Sequence, residues 1–90
     1  MRFELKFKET QHPFGIQAIH RFDNGYGVSV IRNNLSMGAT LGLFEIALLN
    51  KGDDIQYDQQ PIPAGVLGCL KMHEVQDIMS DINDLTPAEK

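Results

Sequence analysis

Residues 16–31 have the sequence IQAIHRFDNGYGVSVI, in which an Asn-Gly pair lies between two apolar runs. Asn-Gly favours the two-residue type I′ turn, because both central positions of that turn need a positive φ. The pair therefore predicts a β-hairpin whose structural turn is Asn24 and Gly25. In that register Phe22 lies opposite Gly27, His20 opposite Ser29 and Ile19 opposite Val30. Apolar residues then occupy both faces of the hairpin, with Ile19, Val28 and Val30 on one and Ile16, Ala18, Phe22 and Ile31 on the other.

The segments on either side of this hairpin predict further strands. Residues 2–8 alternate strictly, with Phe3, Leu5 and Phe7 on one face, which indicates a half-buried strand. Residues 33–40 are small and polar and predict a loop. Residues 41–49 predict the next strand, and residues 55–57 predict a short returning one.

The C-terminal third predicts a helix. Its apolar residues recur at spacings of three and four, which places them on one stripe, and Pro87 marks the end of the pattern. A short turn of helix is expected before it, at residues 64–70. The stripe consists of Met72, Val75, Ile78, Met79, Ile82 and Leu85.

Taken together, these elements predict one α+β domain over residues 1–90. Its core is an antiparallel sheet of four to five strands with one C-terminal helix packed across it. The hairpin and the 41–49 strand carry more apolar side chains than a single helix of about 10 Å width covers. A second copy of the chain packed on the remaining face, as a homodimer, is one solution.

Composition narrows the classes of function. The net charge is −4, and the C-terminal half holds three Lys/Arg against eight Asp/Glu. We therefore expect no direct nucleic-acid binding, which needs a basic surface. The first residues lack the apolar core of a signal peptide, and no apolar run is long enough to span a membrane. The single Cys69 allows no internal disulfide.

No motif for catalysis, a metal or a cofactor is present, so we expect a non-enzymatic protein with none of them. Cys69 and His73 are four residues apart and would share a face if both lay on one helix, but no second ligand pair accompanies them. Ser29 would face His20 across the hairpin, an arrangement typical of a cross-strand polar pair. The glycines match neither a phosphate loop nor a dinucleotide fingerprint.

The C-terminal helix also carries a row of carboxylates, which we name the acidic stripe. Like charges at these spacings repel each other, and no lysine interrupts them. The acidic stripe is therefore the candidate partner-binding surface for a basic protein, and the alternative is a solvated helix face. It consists of Glu74, Asp77, Asp81 and Asp84.

A resemblance to a known family rests on three short strings, at residues 22–31, 42–49 and 65–68, and on the closing helix. FDNGYGVSVI, GLFEIALL and GVLG, in this order, resemble a family of small uncharacterised proteins of tailed bacteriophages and prophages. The chain departs from that pattern at Gln60 before Pro61 and at Ala64-Gly65 before Val66. The resemblance covers roughly residues 20–85 and implies a phage gene product in the host cytoplasm, with no particular activity.

These observations favour a phage accessory protein that binds another protein and inhibits or redirects a host factor. One alternative is a self-assembling structural or virion-associated protein that uses the second apolar face of the sheet. Another is a small-ligand-binding protein with a pocket between the sheet and the loop at residues 33–40.

Overall fold

The computed structural model describes residues 2–36 and 38–87. Five antiparallel strands follow one another in the sheet in chain order, and a helix packs across one side, which confirms the predicted α+β fold. A 3-10 turn, Ala39–Leu41, precedes β4. The elements are β1 (Lys8–Gln11), β2 (Phe14–Arg21), β3 (Gly27–Asn33), β4 (Phe44–Leu49), β5 (Val66–Leu70) and α1 (Met72–Asn83).

The core lies between α1 and the sheet face that it covers, which we call the inner face. The predicted helical stripe is confirmed, since Val75, Met79 and Ile82 of α1 are fully buried. Each such side chain contributes about 1.5–3 kcal/mol when it leaves water. The inner face supplies Ala18, Val28, Val30, Ile46 and Leu48.

The N-terminal arm, residues 2–7, completes the core without joining the sheet. Phe3, Leu5 and Phe7 pack against the core as their alternation predicts, but the predicted strand at 2–8 is wrong, because β1 begins only at Lys8. The arm bonds to a side chain instead of to a strand. The buried Gln76 of α1 accepts the Phe3 N–H at 2.6 Å and donates to the Phe3 carbonyl at 2.9 Å.

The β2–β3 hairpin forms, but the predicted type I′ turn is wrong. Of Asn24 and Gly25, only Gly25 has a positive φ, 93°. Phe22 donates its N–H to the Tyr26 carbonyl at 2.8 Å, and Gly25 donates to the Phe22 carbonyl at 3.1 Å. This is a three-residue loop with a left-handed third residue.

The longer loop shifts the predicted register by one residue. His20 pairs with Val28 and Ile19 with Ser29, so the predicted pairs of His20 with Ser29 and Ile19 with Val30 are wrong. A one-residue shift moves side chains between faces. Ile19 therefore lies on the face opposite to Val28 and Val30. Gly27 lies opposite Arg21, not Phe22, and a side-chain carbon there would be 2.5 Å from the Arg21 guanidinium.

Three further element boundaries differ from the prediction. The strand predicted from residue 41 begins at Phe44, because Leu41 belongs to the 3-10 turn and Gly42, which caps that turn, has a φ of 74°. The short strand predicted at residues 55–57 is reduced to one bridge, from Ile55 to Leu49. The predicted helical turn at 64–70 is β5, whose pairing with β4 buries Leu70 beside Phe44.

Both ends of α1 are satisfied by side chains. The Glu74 carboxylate accepts the Lys71 N–H at 2.9 Å at the N-terminus. At the C-terminus, Asn24 donates through Nδ2 to the carbonyls of Ile82 at 2.8 Å and Leu85 at 3.2 Å. Asn24 Oδ1 also accepts the Tyr26 N–H at 3.1 Å. The hairpin tip therefore holds the helix end against the inner face.

Candidate functional site

The acidic stripe divides into one structural carboxylate and three exposed ones. Glu74 is half-buried and committed to the start of α1. Asp77, Asp81 and Asp84 are exposed, and no lysine or arginine within residues 2–36 and 38–87 forms an ion pair with them. The stripe that α1 presents to solvent is therefore these three residues, which can attract a basic surface from a distance.

One concavity lies at the end of the inner face that α1 leaves uncovered. Phe14 and Ile16 follow Ala18 on this side of β2, because strand side chains alternate. They border an open groove of about 470 Å³ that Ala39 and Thr40 also line. We call this the loop-end groove. Its lining is completed by Glu9, Gly15, Arg32, Asn33 and Asn34.

Large apolar side chains are exposed in the lining of the loop-end groove and at residues directly next to it in the chain. Phe14 is 64% exposed, Leu35 80% and Leu41 77%. Leu35 follows Asn34, and Leu41 follows Thr40, both of which line the groove. These are three of the four most exposed large apolar residues of the described chain, and the fourth is Ile19 at 59%.

The loop that presents Leu35 is held by short hydrogen bonds. Asn33 Oδ1 accepts the Leu35 N–H at 2.9 Å, and Ser36 Oγ accepts the Asn33 N–H at 2.9 Å. Asn34 donates its N–H to the Phe14 carbonyl at 3.1 Å, which ties this loop to the start of β2. The apolar side chains therefore stand on a fixed backbone, which reduces the entropy lost on binding.

Arg32 is the cation of the loop-end groove. Its guanidinium lies 5.0 Å from the centre of the Phe44 ring and donates to the Gly42 carbonyl at 3.4 Å. Such stacking over an aromatic ring holds a guanidinium in place. Glu9 supplies the one carboxylate of the lining, so the groove combines apolar walls with one charge of each sign.

The outer face of the sheet, which points away from α1, is the second candidate surface. Gln17 donates to Ser29 Oγ at 2.9 Å across β2 and β3. Arg21 donates to the carbonyls of Asn50 and Lys51 at 3.0 Å and lies 3.3 Å from the Asp53 carboxylate. A depression of about 410 Å³ on this face is bordered by Gln17, Ile19, Arg21, Ser29, Leu49 and Asp53. The apolar residues of this face that are not buried within the chain are Ile19, Ile31, Ala47 and Val66, whereas Leu49 is only 7% exposed.

The structure does not bring together the two residue pairs that the sequence analysis considered, His20 with Ser29 and Cys69 with His73. His20 lies on the inner face, with its ring 5.5 Å from Phe3 and 4.9 Å from Phe22, so it does not meet Ser29. Cys69 is in β5 and His73 is in α1, so the two residues do not share a helix face. Within residues 2–36 and 38–87, no group of three or more His, Cys, Asp or Glu residues is arranged to hold a metal ion.

No protein-family model matches the chain, and comparisons with curated proteins and with solved structures gave no match. The resemblance to phage and prophage proteins therefore stays a prediction. In the part of the chain that the structure describes, no helix has the length and hydropathy needed to cross a bilayer.

Proposed function

We propose that the chain is a non-enzymatic protein that acts by binding another protein at the loop-end groove. The observation that supports this is the exposure of Phe14 in the lining of one groove, together with that of Leu35 and Leu41, which directly follow the lining residues Asn34 and Thr40. Exposed apolar residues scattered singly need no explanation, but a cluster of them around a groove is typical of interaction sites. An apolar side chain of the partner that fills the groove would be the anchor of the interface.

The proposed partner is basic. The chain carries a net charge of −4, and Asp77, Asp81 and Asp84 point into solvent from α1. Surface carboxylates of this kind mainly raise the association rate and orient the partner, while buried apolar contacts set the lifetime of the complex. In this proposal the acidic stripe steers the partner and the loop-end groove holds it.

The resemblance to phage and prophage proteins suggests where this binding takes place. We propose that the partner is a protein of the bacterial host, in the host cytoplasm, which the chain inhibits or redirects.

Affinity capture from bacterial lysate tests the binding proposal with a matched pair of variants. Leu41→Asp places a charge beside the loop-end groove, and Ile19→Asp places the same charge on the outer face; both original residues are largely exposed. We expect a protein captured by the natural chain to be retained by Ile19→Asp and lost by Leu41→Asp. Capture that Leu41→Asp leaves unchanged, or the absence of any specifically captured protein, would contradict the proposal.

A small ligand is the second candidate occupant of the loop-end groove. The groove lies between the sheet and the loop that follows β3, and its volume falls in the range of roughly 300–1,000 Å³ of small-molecule sites. Native mass spectrometry of protein purified from a bacterial host would reveal a co-purified compound. Its loss in Leu41→Asp, together with no captured protein, would favour the ligand over a protein partner.

A further inference from the structure

We propose that the outer face of the sheet binds a second copy of this chain, in a symmetric dimer whose two-fold axis runs along β3. The first support is the shape of this face. Ile19, Ser29 and Ala47 lie side by side on neighbouring strands, because Ile19 pairs with Ser29 and Ser29 with Ala47. Ile19 is the large, exposed residue of this row, and Ala47 is the small one.

A two-fold axis along the central strand lays β2 of one copy over β4 of the other. The rotation keeps each residue at the same height along the strands. The projecting Ile19 of one copy then faces the low Ala47 position of its partner, and the reciprocal contact is made on the other side of the axis. Two sheets that pack this way keep their strands nearly aligned, as in β-sandwiches.

The charges of the outer face follow the same symmetry. In one row across the sheet, Lys8 pairs with Gln17, Gln17 with Ile31, and Ile31 with Glu45. Lys8 and Glu45 therefore lie at the same height along the strands, on opposite sides of β3. The rotation places Lys8 of one copy on the same side of the interface as Glu45 of the other, so no like charges are brought together at this height. At another height, Arg21 of β2 reaches across β3 to the Asp53 carboxylate of the same chain, 3.3 Å away, so this pair is neutralised within each copy.

The distribution of charge over the whole molecule favours the same occupant. Two cations and two carboxylates balance on the outer face, although the chain has a net charge of −4. The acidic stripe lies beyond α1, on the opposite side of the sheet. Sheets pack about 10 Å apart and each helix layer adds about 10 Å, so the two acidic stripes would be roughly 30 Å apart. That is several Debye lengths of about 8–10 Å, so their repulsion is screened.

The area of the outer face is sufficient for a weak specific dimer. Strand spacing and rise give a face on the order of 500 Å² for this sheet. A pair would then bury on the order of 1,000 Å², which is roughly the lower limit for a specific interface. We therefore expect self-association in the micromolar range, visible at high protein concentration.

Sedimentation equilibrium at high micromolar concentration tests this proposal. The natural chain is expected to show twice its monomer mass of 10.1 kDa. Ile19→Asp should weaken self-association by about 30-fold or more, as expected for a central contact of an interface. Leu41→Asp, at the loop-end groove, is the matched control and should sediment as the natural chain does.

A size exchange keeps the test valid if Ile19→Asp does not fold. Ile19→Ala and Ala47→Ile should each weaken the dimer, and the double variant should recover it, because the large and small residues have then changed places. A monomeric natural chain would overturn the proposal. So would self-association that Ile19→Asp leaves unchanged or that Leu41→Asp abolishes, or a double variant that is no better than the two single ones. Failure here leaves protein binding at the loop-end groove untouched, because that proposal depends on Leu41.

Discussion

The inner and outer faces of the sheet are built from the same strands but differ in what covers them. On β2, Ala18 lies on the inner face and is buried, while its neighbour Ile19 lies on the outer face and is 59% exposed. On β3, the inner residues Val28 and Val30 are fully buried, whereas the outer Ser29 and Ile31 are only half-buried. Antiparallel sheets often turn a polar face to water. Here the second face keeps aliphatic residues, and this difference suggests that the inner face serves folding and the outer face serves association.

Placing a charge on the inner face of β2 and, separately, on its outer face should give the largest difference in unfolding free energy. Ala18→Asp buries an unpaired carboxylate and is expected to cost about 4 kcal/mol or more, which approaches the whole stability of a small domain. Ile19→Asp, one residue away, should leave the free energy of unfolding of the monomer nearly unchanged. Urea denaturation followed by circular dichroism measures both. Equal losses in the two variants would show that the outer face also belongs to the core.

The attachment of α1 to the inner face can be weakened at Asn24. Asn24→Asp keeps the size of the side chain but replaces a donor to the Ile82 and Leu85 carbonyls with a carboxylate. We expect a loss of about 2–3 kcal/mol, because the carbonyls lose their donor and face a negative charge at the negative end of the helix. The matched control is Asp23→Asn, on the exposed residue before it, which should change the unfolding free energy little. A smaller effect for Asn24→Asp than for this control would contradict the capping role.

Substitutions that oppose the backbone conformation of the hairpin tip should lower the unfolding free energy by a smaller amount. Gly25 has a φ of 93°, a conformation that side chains with a Cβ oppose by about 1–2 kcal/mol. Gly25→Val should lower the unfolding free energy by that amount, and Gly25→Ala by less, because valine is branched at Cβ. Thermal unfolding of both variants checks this, and an unchanged melting temperature for Gly25→Val would be inconsistent with the turn described here.

The smallest effect is expected on the outer surface of α1. Changing Asp77, Asp81 and Asp84 to Asn removes two like-charge contacts and should stabilise the helix by about 0.5 kcal/mol at low salt. High salt should abolish this gain, because it screens exposed charges. The matched control is the same change at Asp23, Asp54 and Asp58, which lie in turns. A stabilisation that persists at high salt, or one equal to that of the control, would mean that repulsion along the acidic stripe is not its cause.

The strength of local patterns decides how much of this fold could be predicted from the sequence. The spacing of Val75, Met79 and Ile82 specifies α1 without help from the rest of the chain. The hairpin was predicted, but its register was not, because Asn24 takes part in a contact with α1 that is 58 residues away in sequence. β5 could not be predicted, because residues 66–70 have no alternating pattern and become a strand only by pairing with β4.

The candidate surfaces were predicted to different degrees. The exposure of Asp77, Asp81 and Asp84 follows from the helical spacing alone. The lining of the loop-end groove joins Phe14 and Ile16 of β2 with Ala39 and Thr40, which are more than twenty residues away in sequence, so only the pairing of the strands brings them together. The outer face was expected to carry excess apolar residues, but its members changed with the one-residue shift of the hairpin.

The dependence of the melting temperature on protein concentration tests the contrast between the two faces most directly. If the outer face binds a second copy, the melting temperature of the natural chain rises with concentration, because dimer formation stabilises the folded state by mass action. Ile19→Asp should show no such rise, and the two proteins should converge at the lowest concentration. A natural chain whose melting temperature is independent of concentration would contradict the account. So would an Ile19→Asp variant that melts lower by the same amount at every concentration, because Ile19 would then stabilise the monomer.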